Sequence, residues 1–173
     1  MHPEVQRFVH KVKEEYPRYF LGDQRVLEVG SYNINGTIRD LFAEVIDYTG
    51  LDLGPGPGVD IVSDINDYDD PDGYNVVISM EMLEHCKEWE KALLKMYKLT
   101  KSGGLFVLTC AGPARHEHGT HRTTPQDSQF TLDHYRNISI ADFLSVLPSR
   151  LFKKSSLSLE RDECDLVFYG IKK

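Results

Sequence analysis

The stretch VLEVGSYNING, residues 26–36, decides the reading of the fold. An apolar run ends at Glu28 and Val29, and two glycines, Gly30 and Gly36, then bracket a polar loop. Beyond the loop Ile38, Leu41, Phe42, Val45 and Ile46 recur at helical spacing, with Asn35 or Thr37 available to cap them. Strand, glycine loop and helix in that order make the first half of a βαβ unit. Working outward, residues 47–53 (DYTGLDL) read as a second strand, GPGPG at 54–58 as loop, and VDIV at 59–62 as a short third strand. NVVISM at 75–80 is nearly all apolar, as a strand covered on both faces of a parallel sheet must be. A helix with Trp89, Leu93 and Met96 on one stripe follows, closed by Ser102-Gly103-Gly104 before the strand LFVLTC at 105–110.

Upstream, Val5, Phe8, Val9, Val12 and Tyr16 share one face, so residues 3–16 form an amphipathic helix within an N-terminal segment, residues 1–20. Downstream, a helix near 139–147 carries Ile140, Phe143, Leu144 and Leu147. Two strand-like runs, SLSLER at 156–161 and CDLVFYGI at 164–171, are then separated only by Asp162 and Glu163. That gap is too short for a crossover helix, so these strands pair as an antiparallel hairpin. The expected fold class is α/β: a doubly wound, mostly parallel sheet with helices on both faces, closed by a C-terminal antiparallel hairpin.

Composition sets bounds on function. A chain of 173 residues is long enough to bury one core, and residues 1–173 read as one domain. Its 27 acidic and 20 basic residues give a net charge of −7, so nothing draws it generally to phosphate backbones or anionic lipid. Nucleic acid is disfavoured as a partner, and a small molecule is favoured. The three cysteines, Cys86, Cys110 and Cys164, have neither disulfide nor zinc-ribbon spacing, which fits a reducing cytoplasm. The N-terminal residues lack the apolar core of a signal peptide, and no apolar run reaches membrane-spanning length. A soluble, cytoplasmic protein without membrane contact is expected.

In a doubly wound sheet, ligands lie outside the carboxyl ends of the strands, where a glycine turn lets them approach the backbone. Gly30 and Gly36 fit that role, although the spacing GxGxxG is absent. Asp52 ends the second strand, the place from which a carboxylate accepts hydrogen bonds from a ribose diol; the alternative is a turn residue beside GPGPG. Asp64 and Ile65, just past the third strand, pair a carboxylate with an apolar side chain suited to an adenine amino group and ring face, or else form an Asx turn. A nucleoside-bearing ligand is indicated.

In combination, the series VLEVG…G, GLD, VSD, YNVVISMEMLEH and LTKSGGLFVLTC resembles the successive motifs of class I S-adenosylmethionine-dependent methyltransferases of the small, Rossmann-like, seven-stranded type. The resemblance spans about residues 25–171 and implies a seven-stranded sheet and S-adenosylmethionine as cofactor. It also implies that Glu28, Gly30 and Gly36 shape the pocket for the methionine part and that Asp52 holds the ribose hydroxyls. Leu53 and Ile65 would flank the adenine, with Asp64 receiving its amino group. The first loop departs from the family's closely spaced glycines, since Ser31, Tyr32, Asn33, Ile34 and Asn35 stand between the two present here. Ser31 and Asn35 therefore either hydrogen-bond the cofactor or stabilise the turn.

Methyl transfer from a sulfonium requires mainly that the nucleophile be held in line and its proton managed. Glu81, Glu84 and His85 follow the fourth strand, with Glu81 expected near the cofactor's cationic end and His85 as a proton acceptor or a packing residue. Residues 111–137 form the longest loop, expected to be a substrate lid. It offers His118 as a base, Arg122 or Arg136 as a grip for a carboxylate or phosphate on an anionic acceptor, and Tyr135 as a stacking or filling residue. His116, His118 and His121 crowd one short stretch, but a divalent ion needs further partners, and no metal is assigned. Two competing classes share much of the pattern. A nicotinamide-dependent oxidoreductase would use the same glycine loop and ribose acid, and a catalytically inactive partner subunit would keep the cofactor pocket without chemistry.

Overall fold

The structure, a computed structural model, describes residues 2–131 and 133–173. Helix α1 (Pro3–Glu15) leads through a single 3-10 turn into strand β1 (Leu21–Val29). Strands β2 (Glu44–Asp52), β3 (Ile61–Val62) and β4 (Tyr74–Met80) follow, then helix α2 (Trp89–Leu99) and strand β5 (Thr100–Ala111). Helix α3 (Ile140–Val146) and strands β6 (Phe152–Glu160) and β7 (Asp165–Lys172) complete the chain. The seven strands form one sheet in the order β3-β2-β1-β4-β5-β7-β6. The pairs from β3 through β5 are parallel; β7 runs antiparallel to both β5 and β6. The hairpin thus forms, with its second strand inserted against β5 and its first left at the edge.

Each face of the sheet buries its own apolar cluster. On one side the α1 stripe Val5, Phe8, Val9 and Val12 packs on Val26, Val76, Ile78 and Val107. On the other, Trp89, Leu93 and Met96 of α2 and Phe143 of α3 pack on Leu27, Val77, Phe106 and Phe168. Alternate residues of β1 and β4 therefore serve opposite faces, which is why Val26 and Leu27, and Val76 to Ile78, are apolar at successive positions. At α3, Ser139 accepts the Asp142 N–H at 3.1 Å while the Asp142 carboxylate accepts the Ser139 N–H at 3.0 Å, a reciprocal cap that fixes where the helix begins.

Two expectations are corrected. The apolar series after Gly36 forms no α-helix; Arg39–Phe42 makes a single 3-10 turn, and Val45 and Ile46 already belong to β2. Ile38 and Phe42 satisfy the burial their spacing demands within that one turn. The β-branched and aromatic run Val45, Ile46, Tyr48 and Thr49 then pairs with β1, and ladder formation overrides the helical period. The second correction concerns Ser102-Gly103-Gly104, which lie inside β5 rather than capping α2. Gly103, at φ +76°, absorbs the register shift between β4 and β5.

Candidate active site

The strand order reverses beside β1. From β1 the chain moves outward to β2 and β3, then returns to place β4 on β1's other side, with Val26–Glu28 opposite Val76–Ile78. A cleft of about 1050 Å³ opens at the carboxyl ends of these strands. Glu28, Gly30, Ser31, Gly36, Asp52, Leu53, Asp64, Ile65, Glu81, His85 and His118 all line it, residues scattered over five separate segments of sequence.

The turn after β1 is built around Gly30 at φ +81°, a region side chains rarely tolerate. A Cβ there would lie 2.7 Å from the Met82 Cβ, so the glycine also lets the loops after β1 and β4 approach each other. Its N–H and that of Ser31 both donate to the Leu51 carbonyl, at 2.9 and 3.2 Å. The buried Ser31 Oγ has no hydrogen-bond partner among the described residues. Further along, the Gly36 N–H donates to Asn33 Oδ1 at 2.8 Å, so that asparagine tightens the turn. Asp52 takes the Tyr32 N–H on Oδ2 at 2.9 Å and the Leu53 N–H on Oδ1 at 2.7 Å. The Gly54 N–H also bears on this carboxylate, which keeps acceptor capacity for a further donor. Burial raises the Asp52 carboxyl above its usual range, against those backbone N–H groups, which pull it down.

Glu28 lies beneath this turn, 3% exposed, and accepts the Tyr48 hydroxyl at 2.8 Å. Burial pushes its carboxyl up to about 7, with the Tyr48 hydrogen bond and the Arg39 charge opposing. Asp64 accepts the Asn66 N–H at 2.8 Å, closing an Asx turn with one oxygen. Ile65 beside it is buried, and Leu53 stands 44% exposed at the rim. One end of the cleft thus presents a carboxylate and two apolar side chains, the other a glycine turn and an unsatisfied hydroxyl. Aromatic closure comes from residues the sequence reading passed over. The Phe130 ring stands edge-on to Tyr32 at 5.8 Å, and a Cβ on Gly54 would fall 2.3 Å from Phe130 and one on Gly56 1.8 Å from Tyr32. The GPGPG loop owes two of its glycines to these contacts.

Past β4 the cleft turns strongly titratable. Glu81 has φ +56°, a strained value for a side-chain-bearing residue, and its N–H donates to the Thr109 carbonyl at 2.9 Å. Its Oε2 lies 3.2 Å from His2 Nε2 and 3.7 Å from Arg115, whose guanidinium also meets Asp165 at 2.9 Å. Burial works to raise the Glu81 carboxyl, but His2, Thr109 and Arg115 together hold it below its usual value. Glu84 is fully buried and neither of its oxygens has a partner among the described residues. Burial, reinforced by the Glu81 charge, pushes it well above the carboxylate range, against the backbone N–H groups of Glu84 and Ala111, which act to lower it. His85, 6% exposed, is driven down to about 4 by burial and by His118. It is therefore a neutral imidazole at pH 7 and a weaker base than its ordinary value suggests. The His118 ring stands edge-on to it at 4.9 Å, and Tyr135 edge-on to both.

Of the other lid residues predicted from the sequence, His116 also lines the cleft, whereas His121, Arg122, Tyr135 and Arg136 do not. His121 is bound to Asp133, and His116 is exposed, so the run at 116, 118 and 121 sends only His118 toward His85. Arg122 donates to Glu117 at 2.7 Å and Arg136 to Asp142 at 3.2 Å while stacking on Trp89; neither side chain is among the cleft-lining groups. Arg115 is the guanidinium that lines it. Tyr135 donates to the His116 carbonyl at 3.1 Å and helps pack the lid. His2 and Arg115 had no signal in the sequence, because only the folded chain brings the N-terminal turn and the lid beside β4. Among the described residues, no helix is long and apolar enough to cross a membrane.

A family model described as a methyltransferase domain matches residues 1–148. No curated protein sequence matches the chain. Among solved structures, the fold is similar to the N-methyltransferase NodS from Bradyrhizobium japonicum WM9, in complex with S-adenosylhomocysteine. There the identity is 14%, the TM-score 0.64, and the match covers 98% of this chain and 87% of that one. The YcgJ protein from Bacillus subtilis matches at 13% identity and TM-score 0.68 over 99% of both chains. The 1,6-didemethyltoxoflavin-N1-methyltransferase from Burkholderia thailandensis, with 1,6-didemethyltoxoflavin and S-adenosylhomocysteine bound, matches at 13% identity and TM-score 0.65, over 99% of this chain and 77% of that one.

Proposed function

The chain belongs to the methyltransferase-domain family, and from that premise we propose that it is an enzyme transferring a methyl group from S-adenosylmethionine directly to a small-molecule acceptor. The observation that carries this reading is the convergence, on one cleft at the point where the strand order reverses, of the Gly30 turn, the unsatisfied Ser31 hydroxyl and the Asp52 carboxylate.

The donor fits these residues. Asp52 keeps acceptor capacity for a ribose hydroxyl, and the Ser31 hydroxyl needs a polar partner. Leu53 and Ile65 would flank the adenine, Asp64 would receive its amino group with the oxygen left free by the Asx turn, and Glu28, Gly30 and Gly36 would shape the methionine pocket. Glu81, ionised between His2 and Arg115, would lie toward the donor's cationic end. Bound there, the cofactor supplies an electrophilic methyl group, so the chemistry needs no covalent link to the protein. The chain's own work is to orient the acceptor, exclude water and receive a proton. His85 and His118 face the acceptor end, where an imidazole nitrogen can take a hydrogen bond or proton from the acceptor.

Residues 111–137 act as the lid, with Phe130 and His118 among its cleft-facing groups, and residues 1–173 act as one domain. Three unpaired cysteines suit a reducing, cytoplasmic setting. Arg122 is bonded to Glu117, which lines the cleft, and an anionic acceptor would recruit it by replacing that carboxylate; Arg122→Ala should then weaken acceptor affinity and leave donor affinity unchanged. Neither the nicotinamide-dependent reading nor the inactive-subunit reading is favoured by any contact in the cleft. Turnover tests the proposal: S-adenosylmethionine carrying a deuterated methyl group, incubated with a panel of small oxygen, nitrogen and carbon acceptors, should yield S-adenosylhomocysteine and one acceptor carrying the heavy methyl. Tight donor binding with no transfer to any acceptor would favour the inactive subunit.

A further inference from the structure

We propose that Glu84, His85 and His118 form a binding site for a first-row divalent transition-metal ion at the acceptor end of the cleft. Their potential ligand atoms, one carboxylate oxygen and two ring nitrogens, lie within 4.8 Å of one another. Ligands at about 2.0–2.2 Å from such an ion stand roughly 3–4.4 Å apart, so the three atoms must draw closer together for an ion to be held.

Independent observations point to an occupant. Glu84 is fully buried, yet neither carboxyl oxygen has a hydrogen-bond partner among the described residues, and the same holds for the buried Nδ1 of His85. Buried polar atoms are rarely left so, and one cation would account for all three, which belong to adjacent residues. The set is also oriented as metal ligands are. His118 Nδ1 lies 3.2 Å from the His116 carbonyl and donates to it, which leaves the Nε2 lone pair free. Glu84 and His85 share the single turn Leu83–His85, pinned by the His85 N–H on the Met82 carbonyl at 3.0 Å and by the Arg136 N–H on the Glu84 carbonyl at 2.8 Å. Gly119, at φ +70°, completes the arrangement, since a Cβ there would lie 2.6 Å from the His85 ring and push the lid away.

A second group, His2, Glu81 and Asp165, is comparably close, but the Arg115 guanidinium lies 2.9 Å from Asp165 and 3.7 Å from Glu81 and supplies the positive charge there. No guanidinium or ammonium group is bonded to Glu84 among the described residues. Two imidazoles and one carboxylate suit zinc, iron(II), cobalt or manganese better than magnesium or calcium. Three protein ligands leave positions open toward the cleft, where an acceptor oxygen can bind and lose its proton more readily; the ion would take over the part assigned above to the imidazoles.

The test uses the full chain, stripped with a chelator and titrated with Co2+, whose visible absorption reports coordination. The expected result is one Co2+ per chain with the intense bands of a four- or five-coordinate site, displaced by Zn2+. His118→Ala and Glu84→Gln should each abolish that spectrum, and His121→Ala should retain it. Circular dichroism checks folding, and His118 lies on an external loop, so His118→Ala carries the test alone should Glu84→Gln unfold. S-adenosylhomocysteine binding, measured on the same stripped samples, reports separately on the donor half of the cleft. A spectrum of hexaaqua Co2+ only, or stoichiometric binding undiminished in His118→Ala, overturns the proposal.

Discussion

Replacing Glu28 with Gln should stabilise the protein at pH 8 and do little at pH 5. Glu28 is 3% exposed at the end of β1, and burial raises its carboxyl from 4.5 to about 7, with the Tyr48 hydroxyl and the Arg39 charge only partly opposing. For an acid whose pKa is raised on folding, the stabilisation is complete below the unfolded value and is lost as pH rises through the folded one. Ionising Glu28 in place therefore costs about 1.4 kcal/mol for each pH unit between the two values, roughly 3 kcal/mol in all by pH 8. Gln is a permanent mimic of the protonated form, and its carbonyl can still accept the Tyr48 hydroxyl. The stability difference between Glu28→Gln and the parent should thus grow by about 2–3 kcal/mol from pH 5 to pH 8, about 5–10 °C in midpoint for a chain of this length. Urea unfolding of both proteins at the two pH values measures it, and taking the difference cancels titrating groups that the substitution leaves alone. A gap between the two proteins that does not change with pH would refute the reasoning, because it would mean that the Glu28 carboxyl ionises as freely as in the unfolded chain.

Two further outcomes follow from the same turn. Asp52→Asn keeps one carbonyl acceptor and removes one charge-assisted hydrogen bond to the donor, a loss of about 1.5–3 kcal/mol. Calorimetry should show S-adenosylhomocysteine binding weakened roughly 10- to 100-fold, and a change under about twofold in a folded variant would contradict the ribose role. Gly30→Ala forces a side chain into φ +81° and 2.7 Å from Met82, so urea unfolding should show a loss of about 1–3 kcal/mol. Unchanged stability would mean that the two loops are not held in contact as described.

Much of the fold was legible because its signals are local. The apolar runs Val76–Ile78 of β4 and Leu105–Leu108 of β5 require cover on both faces, and the two-residue gap at Asp162 and Glu163 leaves no room for a crossover. The donor end of the cleft was legible for the same reason, since Gly30, Asp52 and Asp64 stand at strand ends that topology gathers together. The helix read over residues 38–46 failed because periodicity cannot see strand pairing, which captured Val45 and Ile46 for β2. The acceptor end was less legible still. Three histidines close in sequence suggested a cluster, whereas the loop turns His121 to Asp133 and leaves only His118 facing Glu84 and His85. His2, Arg115 and Phe130 carried no pattern at all; they reach the cleft through tertiary contacts between segments far apart in the chain.

The central claim is that the turn after β1 and the carboxylate at the end of β2 hold one adenosine-containing methyl donor. Its most direct measurement is isothermal titration of the folded chain with S-adenosylhomocysteine, alongside NAD. The expected result is one S-adenosylhomocysteine per chain and no saturable heat from NAD. A folded protein that gives no heat with S-adenosylhomocysteine, or that binds NAD instead, would contradict it.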